Sequence, residues 1–190
     1  MKIYFIGAIS QLPTFGNYYR RVVDCLENKG YLVQSNHVLG QNLDKVMNSG
    51  DEQKIDYYKK FLKWVNEAEM IVAETSFPST VNIGHEVSVA LEKGKPVVVL
   101  YKRGKSPVFL EGINSERLII EEYTDDNLEE VLLSAVGFAS SQQDTRFNFF
   151  ISPKIGAYLD WVSRNKRVPR AVYLRNLIKG DMEKSKYRNN

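Results

Sequence analysis

The sequence predicts an α/β fold in which five parallel strands are covered on both faces by helices. Two observations carry this reading. Apolar runs without polar alternation, among them Ile3-Tyr4-Phe5-Ile6, Met70-Ile71-Val72-Ala73 and Val97-Val98-Val99-Leu100, read as strands buried on both faces. Between them lie segments with apolar residues at helical spacing, two of them closed by glycine. Strands that alternate with helices make parallel crossovers and a sheet with helices on either side.

Residues 2–9 form the first strand. One lysine ahead of an apolar run has the outline of a secretion signal, but a single positive charge and the run's shortness favour a buried strand. A turn-rich loop from Ser10 to Gly16 leads into a helix with Tyr18-Tyr19, Val22-Val23 and Leu26 inward, ended at Gly30. Tyr31-Leu32-Val33 is the second strand, and His37-Val38-Leu39 continues towards a polar loop. Residues 52–67 form an amphipathic helix with the stripe Ile55, Tyr58, Phe61, Leu62 and Val65. Strand 69–74, the loop Thr75 to Thr80 and a helix ended by Gly94 follow. Residues 96–101 and 118–120 are the last two strands, and 125–138 the closing helix. The whole is Rossmann-like, of the flavodoxin-like kind, and occupies residues 1–138; the polar stretch 139–145 reads as a linker.

The chain has 190 residues, 43% hydrophobic and 26% charged, an ordinary globular composition for one domain and an appendage. No apolar run approaches the roughly 18 residues that span a membrane. Cys25 is the only cysteine, which leaves no intrachain disulfide and no zinc-cysteine site, and a reducing cytoplasm is the simplest home. With two histidines and no clustered carboxylates, neither a metal site nor a cofactor is expected. The net charge of +3 hides an asymmetry: residues 141–190 carry eleven Lys and Arg against four Asp and Glu. That shift marks a boundary and points to an anionic partner for the tail, with a merely solvated basic tail as the alternative.

The chemistry concentrates in Thr75-Ser76-Phe77-Pro78-Ser79-Thr80-Val81-Asn82-Ile83-Gly84-His85-Glu86. A strand, a hydroxyl-rich loop and a helix with a carboxylate in its first turn make a pocket rim outside the carboxyl ends of the strands, where α/β sheets bind ligands. Backbone N–H groups at the helix start attract anions. Glu86 reads either as a reactive carboxylate or as one satisfied by the helix dipole. His85 reads as a pocket wall, His37 as a structural hydrogen-bonding residue, and Lys102-Arg103-Gly104-Lys105 as a solvated loop able to reach a phosphate.

These pieces, in this order and spacing, resemble the nucleoside 2-deoxyribosyltransferase superfamily and, within it, the deoxynucleoside monophosphate N-glycosidases. The resemblance is carried by Ile3 to Ile9, Asn36-His37-Val38, Trp64, Ala68 to Glu74, Pro78-Ser79, Gly84-His85-Glu86 and Gly94-Lys95-Pro96-Val97. It implies that Glu86 is the nucleophile at C1′, that Ser79 holds a 5′-phosphate or hydroxyl, and that Tyr4, Gly7, Asn82 and Gly84 shape the substrate site. The chain also departs from the pattern. Phe61 stands where the family has an aspartate, Asp56 lies more than a turn earlier, and the phosphate-contacting Ser and Arg fall on Ala8 and Ser10.

In the tail, Arg146-Phe147-Asn148-Phe149-Phe150-Ile151 alternates with period two. Ser152-Pro153 starts a helix with Ile155, Tyr158-Leu159 and Val162 inward, and Pro169 opens another with Val172-Tyr173-Leu174, Leu177-Ile178 and Met182 inward. One strand and two helices cannot bury their apolar faces alone. The pattern, over about 144–186, resembles the ribbon-helix-helix repressors, with the segment itself at 146–186. It implies a homodimer or higher even oligomer, with Arg146, Asn148 and Phe150 entering the major groove of duplex DNA and Arg170 meeting a phosphate. Lys154, Arg167 and Arg175 are further backbone contacts. A tail that only dimerises is the alternative.

The expected function is therefore a nucleoside or nucleotide N-glycosidase, or a deoxyribosyltransferase, acting through Glu86. The competing expectation is a DNA-binding regulator whose front domain senses a nucleotide-like ligand without turnover, motivated by Phe61 and the basic tail.

Overall fold

The computed structural model describes residues 1–41, 48–141, 150–166 and 168–185. The chain divides into two compact units, Met1–Asp144 and Thr145–Asn190.

In the first unit, strand β1 (Lys2–Gly7) is followed by a 3-10 turn (Ile9–Gln11) and helix α1 (Leu12–Asn28). Strand β2 (Leu32–Gln34), the short helix α2 (Asn36–Leu39) and α3 (Asp51–Glu67) come next. Strand β3 (Met70–Glu74), α4 (Val81–Glu92), β4 (Val97–Lys102), α5 (Val108–Glu111), β5 (Leu118–Tyr123) and α6 (Leu128–Ser141) complete it. The strands pair in parallel in the order β2-β1-β3-β4-β5. This is the five-stranded Rossmann-like sheet the sequence predicts.

The continuous apolar runs work as expected because both faces of the sheet are covered. Ile3, Phe5, Met70, Val72, Val98 and Leu100 pack against α1 and α6 on one face. Tyr4, Ile6, Ile71, Ala73, Val97 and Val99 pack against α3 and α4 on the other. Each fully buried aliphatic side chain contributes about 1.5–3 kcal/mol. Exposed ion pairs such as Lys60–Asp56 are screened by solvent and contribute little, so the two apolar layers decide the stability.

Several expectations are corrected at the element level. The second strand is Leu32–Gln34 rather than 31–33, and His37 to Leu39 sit in the helical turn α2. Strand β5 runs on to Tyr123, because its exposed Glu121 and Glu122 lie along a ladder with β4 that their polarity hides. Helix α6 spans Leu128–Ser141 instead of 125–138. On α3, Phe61 and Val65 are buried, but Ile55 and Tyr58 are exposed. The first half of that helix borders a cavity instead of the sheet.

Order β2-β1-β3 places the reversal of chain direction across the sheet between β1 and β3, where an open α/β sheet leaves a crevice at its carboxyl edge. Gly7 and Glu74 are register partners at that edge. Gly7 is needed there. A Cβ at this position would lie 3.0 Å from Cε2 of Tyr19 and 3.2 Å from Cε1 of Phe5, both buried rings. We expect Gly7→Ala to cost about 1–3 kcal/mol by overpacking, read as a lower denaturant midpoint with an unchanged slope.

In the second unit, α7 (Pro153–Lys166) has Pro153 first and the Ser152 hydroxyl accepting from the Ile155 amide at 3.4 Å. Helix α8 (Arg170–Lys184) has Pro169 as its N-cap residue. Leu159 and Val162 are buried. Ile155, Tyr158, Val172, Leu177, Ile178 and Met182, expected inward, are exposed in the single chain. Two short helices offer one another too little surface to cover both apolar faces. Of the expected strand 146–151, only Phe150 and Ile151 fall within the described residues, and Phe150 is fully exposed. Arg146, Asn148 and Arg167 lie outside them. Arg170 is ion-paired with Asp160.

Candidate active site

A cavity of about 710 Å³ opens at the carboxyl edge of β1 and β3. Its walls are Gly7, Ala8, Ile9 and Ser10 after β1, Gln53, Lys54, Tyr57, Tyr58 and Phe61 on α3, and Thr80, Asn82, Ile83, His85 and Glu86 around the start of α4. His37, Gln41 and Ser49 complete the lining. Glu86 is the only carboxylate among these described lining residues.

Glu86 is the sixth residue of α4, so it stands in the second turn and not the first, as the sequence suggested. That places its side chain on the face turned towards the sheet, where the residue is 8% exposed. Tyr4 Oη donates to Glu86 Oε2 at 3.2 Å, and Tyr57 Oη donates to Glu86 Oε1 at 3.3 Å. Burial pushes the carboxyl up to about 7, against the downward pull of the two phenol hydrogen bonds. Burial and the neighbouring carboxylate hold both phenols well above their usual range, so they stay protonated and act as donors. The result is a carboxylate that can ionise near neutrality beside an open cavity, a poise suited to nucleophilic work.

An aromatic cluster fixes this pair of donors. The Tyr4 ring stacks on His37 at 4.7 Å and on Trp64 at 6.0 Å, and it packs on Phe61 at 6.1 Å. Burial pushes the His37 imidazole down to about 4, so it is neutral at physiological pH. Neither His37 nitrogen has a hydrogen-bond partner of good geometry among the described residues. Stacking on Tyr4 and Trp64, together with an interaction with the Phe5 backbone, holds the ring in place. His85 is at the rim, stacked on Tyr58 at 5.9 Å.

The predicted site residues are therefore sorted by the fold. Gly7, Asn82 and Glu86 line one cavity, and Tyr4 lies beneath it, bonded to Glu86. Ser79 is half-buried, and neither it nor Gly84 is among the lining residues; Thr80 and Asn82 occupy that end of the wall. Ala8 and Ser10 line the cavity, whereas Asp56 is ion-paired with Lys60 at 2.6 Å on the neighbouring cleft. Lys102 pairs with Asp125 at 2.8 Å and Arg103 with Glu122 at 3.0 Å, so that basic loop is engaged in ion pairs on β5 and beyond. Among the described residues no group of three His, Cys, Asp or Glu could hold a metal ion, and no helix is long and apolar enough to cross a membrane.

Sequence reasoning missed Tyr57. It stands four residues before Phe61, one helical turn towards the cavity, and that i−4 relation was present in the sequence. It supplies a second hydrogen bond to Glu86 from the helix whose expected acidic position is apolar.

No family model matches the chain. It is 31% identical over 105 residues to a protein of Methanococcoides burtonii named a 2′-deoxynucleoside 5′-phosphate N-hydrolase, covering 53% of this chain and 80% of that one. A protein of the same name from Nematostella vectensis is 29% identical over 139 residues, covering 70% of this chain and 92% of that one. A 5-hydroxymethyl-dUMP N-hydrolase of Rattus norvegicus is 26% identical over 137 residues, covering 69% and 82%. Among solved structures, the Clostridium botulinum CMP N-glycosidase BcmB is similar over 73% of this chain and 98% of that one, at 15% identity and a TM-score of 0.48. By its identity to the Methanococcoides protein and the share of that protein it spans, the chain belongs to the 2′-deoxynucleoside 5′-phosphate N-hydrolase family, within the deoxyribosyltransferase and N-glycosidase superfamily.

Proposed function

We propose that the protein is a nucleotide N-glycosidase in which Glu86 is the nucleophile. The observation that carries this is a buried carboxylate, held by two phenol donors, that lines the cavity at the sheet's crevice. Ionised Glu86 attacks C1′ of the sugar. A bond forms between its oxygen and C1′ as the bond from C1′ to the base nitrogen breaks, and the base leaves with that electron pair and takes up a proton. Water then attacks C1′, loses a proton and frees the carboxylate, in the manner of retaining glycosidases. The start of α4, with Thr80 and Asn82, together with Ser10 and Lys54, offers N–H, hydroxyl and cationic groups for a 5′-phosphate. The test is base release from a panel of nucleosides and 5′-monophosphates, with Glu86→Gln as control; wild type no faster than the variant would end the reading.

A second reading is favoured by Phe61. It is fully buried against Tyr4 where the family pattern has an aspartate, so the described lining holds no second carboxylate to assist the leaving base. On this reading the front unit binds a nucleotide-like ligand and the tail acts on DNA. Calorimetry showing nucleotide binding in a protein that releases no base supports it.

For the tail we infer assembly through the exposed apolar faces of α7 and α8, and duplex-DNA contact by its basic side chains. Sedimentation is expected to give a dimer or higher even oligomer for the full chain and a smaller species without residues 146–190. DNA binding is expected to fall steeply with salt and to weaken at least tenfold in Arg146→Ala or Asn148→Ala. Binding that is indifferent to salt and to both substitutions removes the DNA claim and leaves assembly alone.

A further inference from the structure

A second buried carboxylate stands behind the cavity, on the opposite face of the sheet. Glu74 is the last residue of β3, in register with Gly7 of β1 and Leu100 of β4, and is 1% exposed. Its side chain leaves the sheet on the α1 and α6 face, whereas Glu86 approaches from the α4 face. Tyr123 Oη donates to Glu74 Oε1 at 2.8 Å, and the Ser76 hydroxyl donates to the same oxygen. Glu74 Oε2 is buried without any hydrogen-bond partner among the described residues. An ionised carboxylate placed there would leave one charged oxygen dry, which is costly, whereas a neutral acid leaves only an unpaired hydroxyl at a smaller cost.

Among the described residues, the groups around it supply no cation to offset a charge. From β5 it meets the Tyr123 phenol, and from α1 it feels Tyr19, whose hydroxyl points to the Ala8 carbonyl at 3.4 Å. The loop gives Ser76, and β4 gives only the backbone of Lys102, whose ammonium is turned to Asp125 and Tyr18. Burial accordingly pushes the Glu74 carboxyl up to about 7, against the pull of the Ser76 and Tyr123 bonds.

What Glu74 holds is the beginning of the loop that carries the site. Ser76 Oγ, donating to Glu74, accepts from the Lys102 amide at 2.8 Å. The Thr75 amide donates to the Leu100 carbonyl at 2.9 Å, and the Phe77 amide to that of Lys105 at 2.8 Å. Residues 75–77 are thus stitched to β4 and the turn that follows it, and three residues later Thr80 and α4 form one wall of the Glu86 cavity.

We propose that Glu74 is a positioning residue for the Glu86 site: as a neutral acid it clamps the Ser76 turn to β4 and β5, and its ionisation draws water to Oε2 and releases that clamp. Its effect on turnover rests on the reading of Glu86 as nucleophile; its effect on the loop does not. Glu74→Gln mimics the neutral acid, since an amide oxygen can accept both hydroxyls and the amide nitrogen carries no charge. Glu74→Ala removes the clamp altogether.

The experiment has two arms on the full chain. In the first, hydrogen exchange of residues 75–83 is compared between wild type and Glu74→Gln at the same pH. The two are expected to match at pH 6, with wild type at least threefold faster at pH 8.5. In the second, kcat for base release is followed from pH 5 to 9. With both carboxyls near 7, wild type is expected to show only a narrow maximum there, whereas Glu74→Gln rises as Glu86 ionises and keeps its plateau and Glu74→Ala loses about tenfold throughout. Matching exchange at pH 8.5 overturns the proposal whatever the turnover. A shared alkaline fall in wild type and Glu74→Gln also overturns it. No base release from any variant at any pH ends the Glu86 reading instead, and exchange alone then decides the role of Glu74.

Discussion

Glu86→Gln is expected to cut base release by a factor of at least about 10³ while making the folded protein more stable at alkaline pH. On the role proposed for Glu86, the loss follows from the chemistry, because an amide cannot form the covalent glycosyl intermediate and no other carboxylate among the described residues lines the cavity. The gain follows from burial. The Glu86 carboxyl is raised from 4.5 to about 7 by desolvation, with the Tyr4 and Tyr57 bonds only partly compensating. A group raised in the folded state contributes stability that is fully present below its unfolded value near 4.5 and is lost as pH climbs through about 7. At about 1.4 kcal/mol per pH unit, the loss approaches roughly 3 kcal/mol above pH 8. Glutamine carries no charge to desolvate. Chemical denaturation is therefore expected to separate variant from wild type by about 2–3 kcal/mol at pH 8.5 and by little at pH 5. A residue kept only for stability would behave the other way, and its replacement would weaken the fold at every pH.

This opposition between stability and poise explains what could and could not be read from the sequence. The strands Ile3 to Ile6 and Val97 to Leu100 were legible because burial on both faces leaves no polar alternation to misread. The end of β5 was not, because Glu121 and Glu122 are exposed on the ladder and masked the fully buried Tyr123 beyond them. Ile55 and Tyr58 fit the apolar stripe of α3 by spacing, yet spacing cannot say that the helix has left the sheet and borders a cavity. Glu86 was legible through its loop. Its partners were less so: Tyr4 came from the resemblance, while Tyr57 required knowing which turn of α3 faces the pocket. Glu74 read as the end of a strand, since nothing local distinguishes a carboxylate that turns into the core from one that turns to water. In the tail the helical spacing was correct at Leu159 and Val162, but the exposed Ile155, Tyr158, Leu177 and Ile178 show that spacing alone does not say which apolar residues one chain covers.

The second large effect belongs to the two phenols. Tyr4→Phe and Tyr57→Phe each remove one hydrogen bond to the Glu86 carboxylate and leave the ring in its stack, so packing against His37, Trp64 and Phe61 is kept. Hydrogen bonds to a charged group contribute about 1.5–3 kcal/mol, and at 3.2 and 3.3 Å these two belong at the weaker end. Both favour the ionised carboxyl, so losing either moves Glu86 further up and shifts the acid limb of kcat/KM to higher pH. At pH 7 each variant is expected to be about tenfold slower. The double variant should fall short of a hundredfold, because the two hydroxyls also interact with one another. The diagnostic is recovery. If the phenols act by lowering the cost of the charge, most of the lost rate returns as pH rises past the displaced limb in a background of Glu74→Gln, where the alkaline fall is absent. If they act by aiming the carboxylate at C1′, the deficit persists at every pH and the acid limb stays where it was. The near-symmetric attachment, one phenol to each oxygen, favours the first outcome, since either bond alone still orients the carboxylate along α4 while only both together offset its burial.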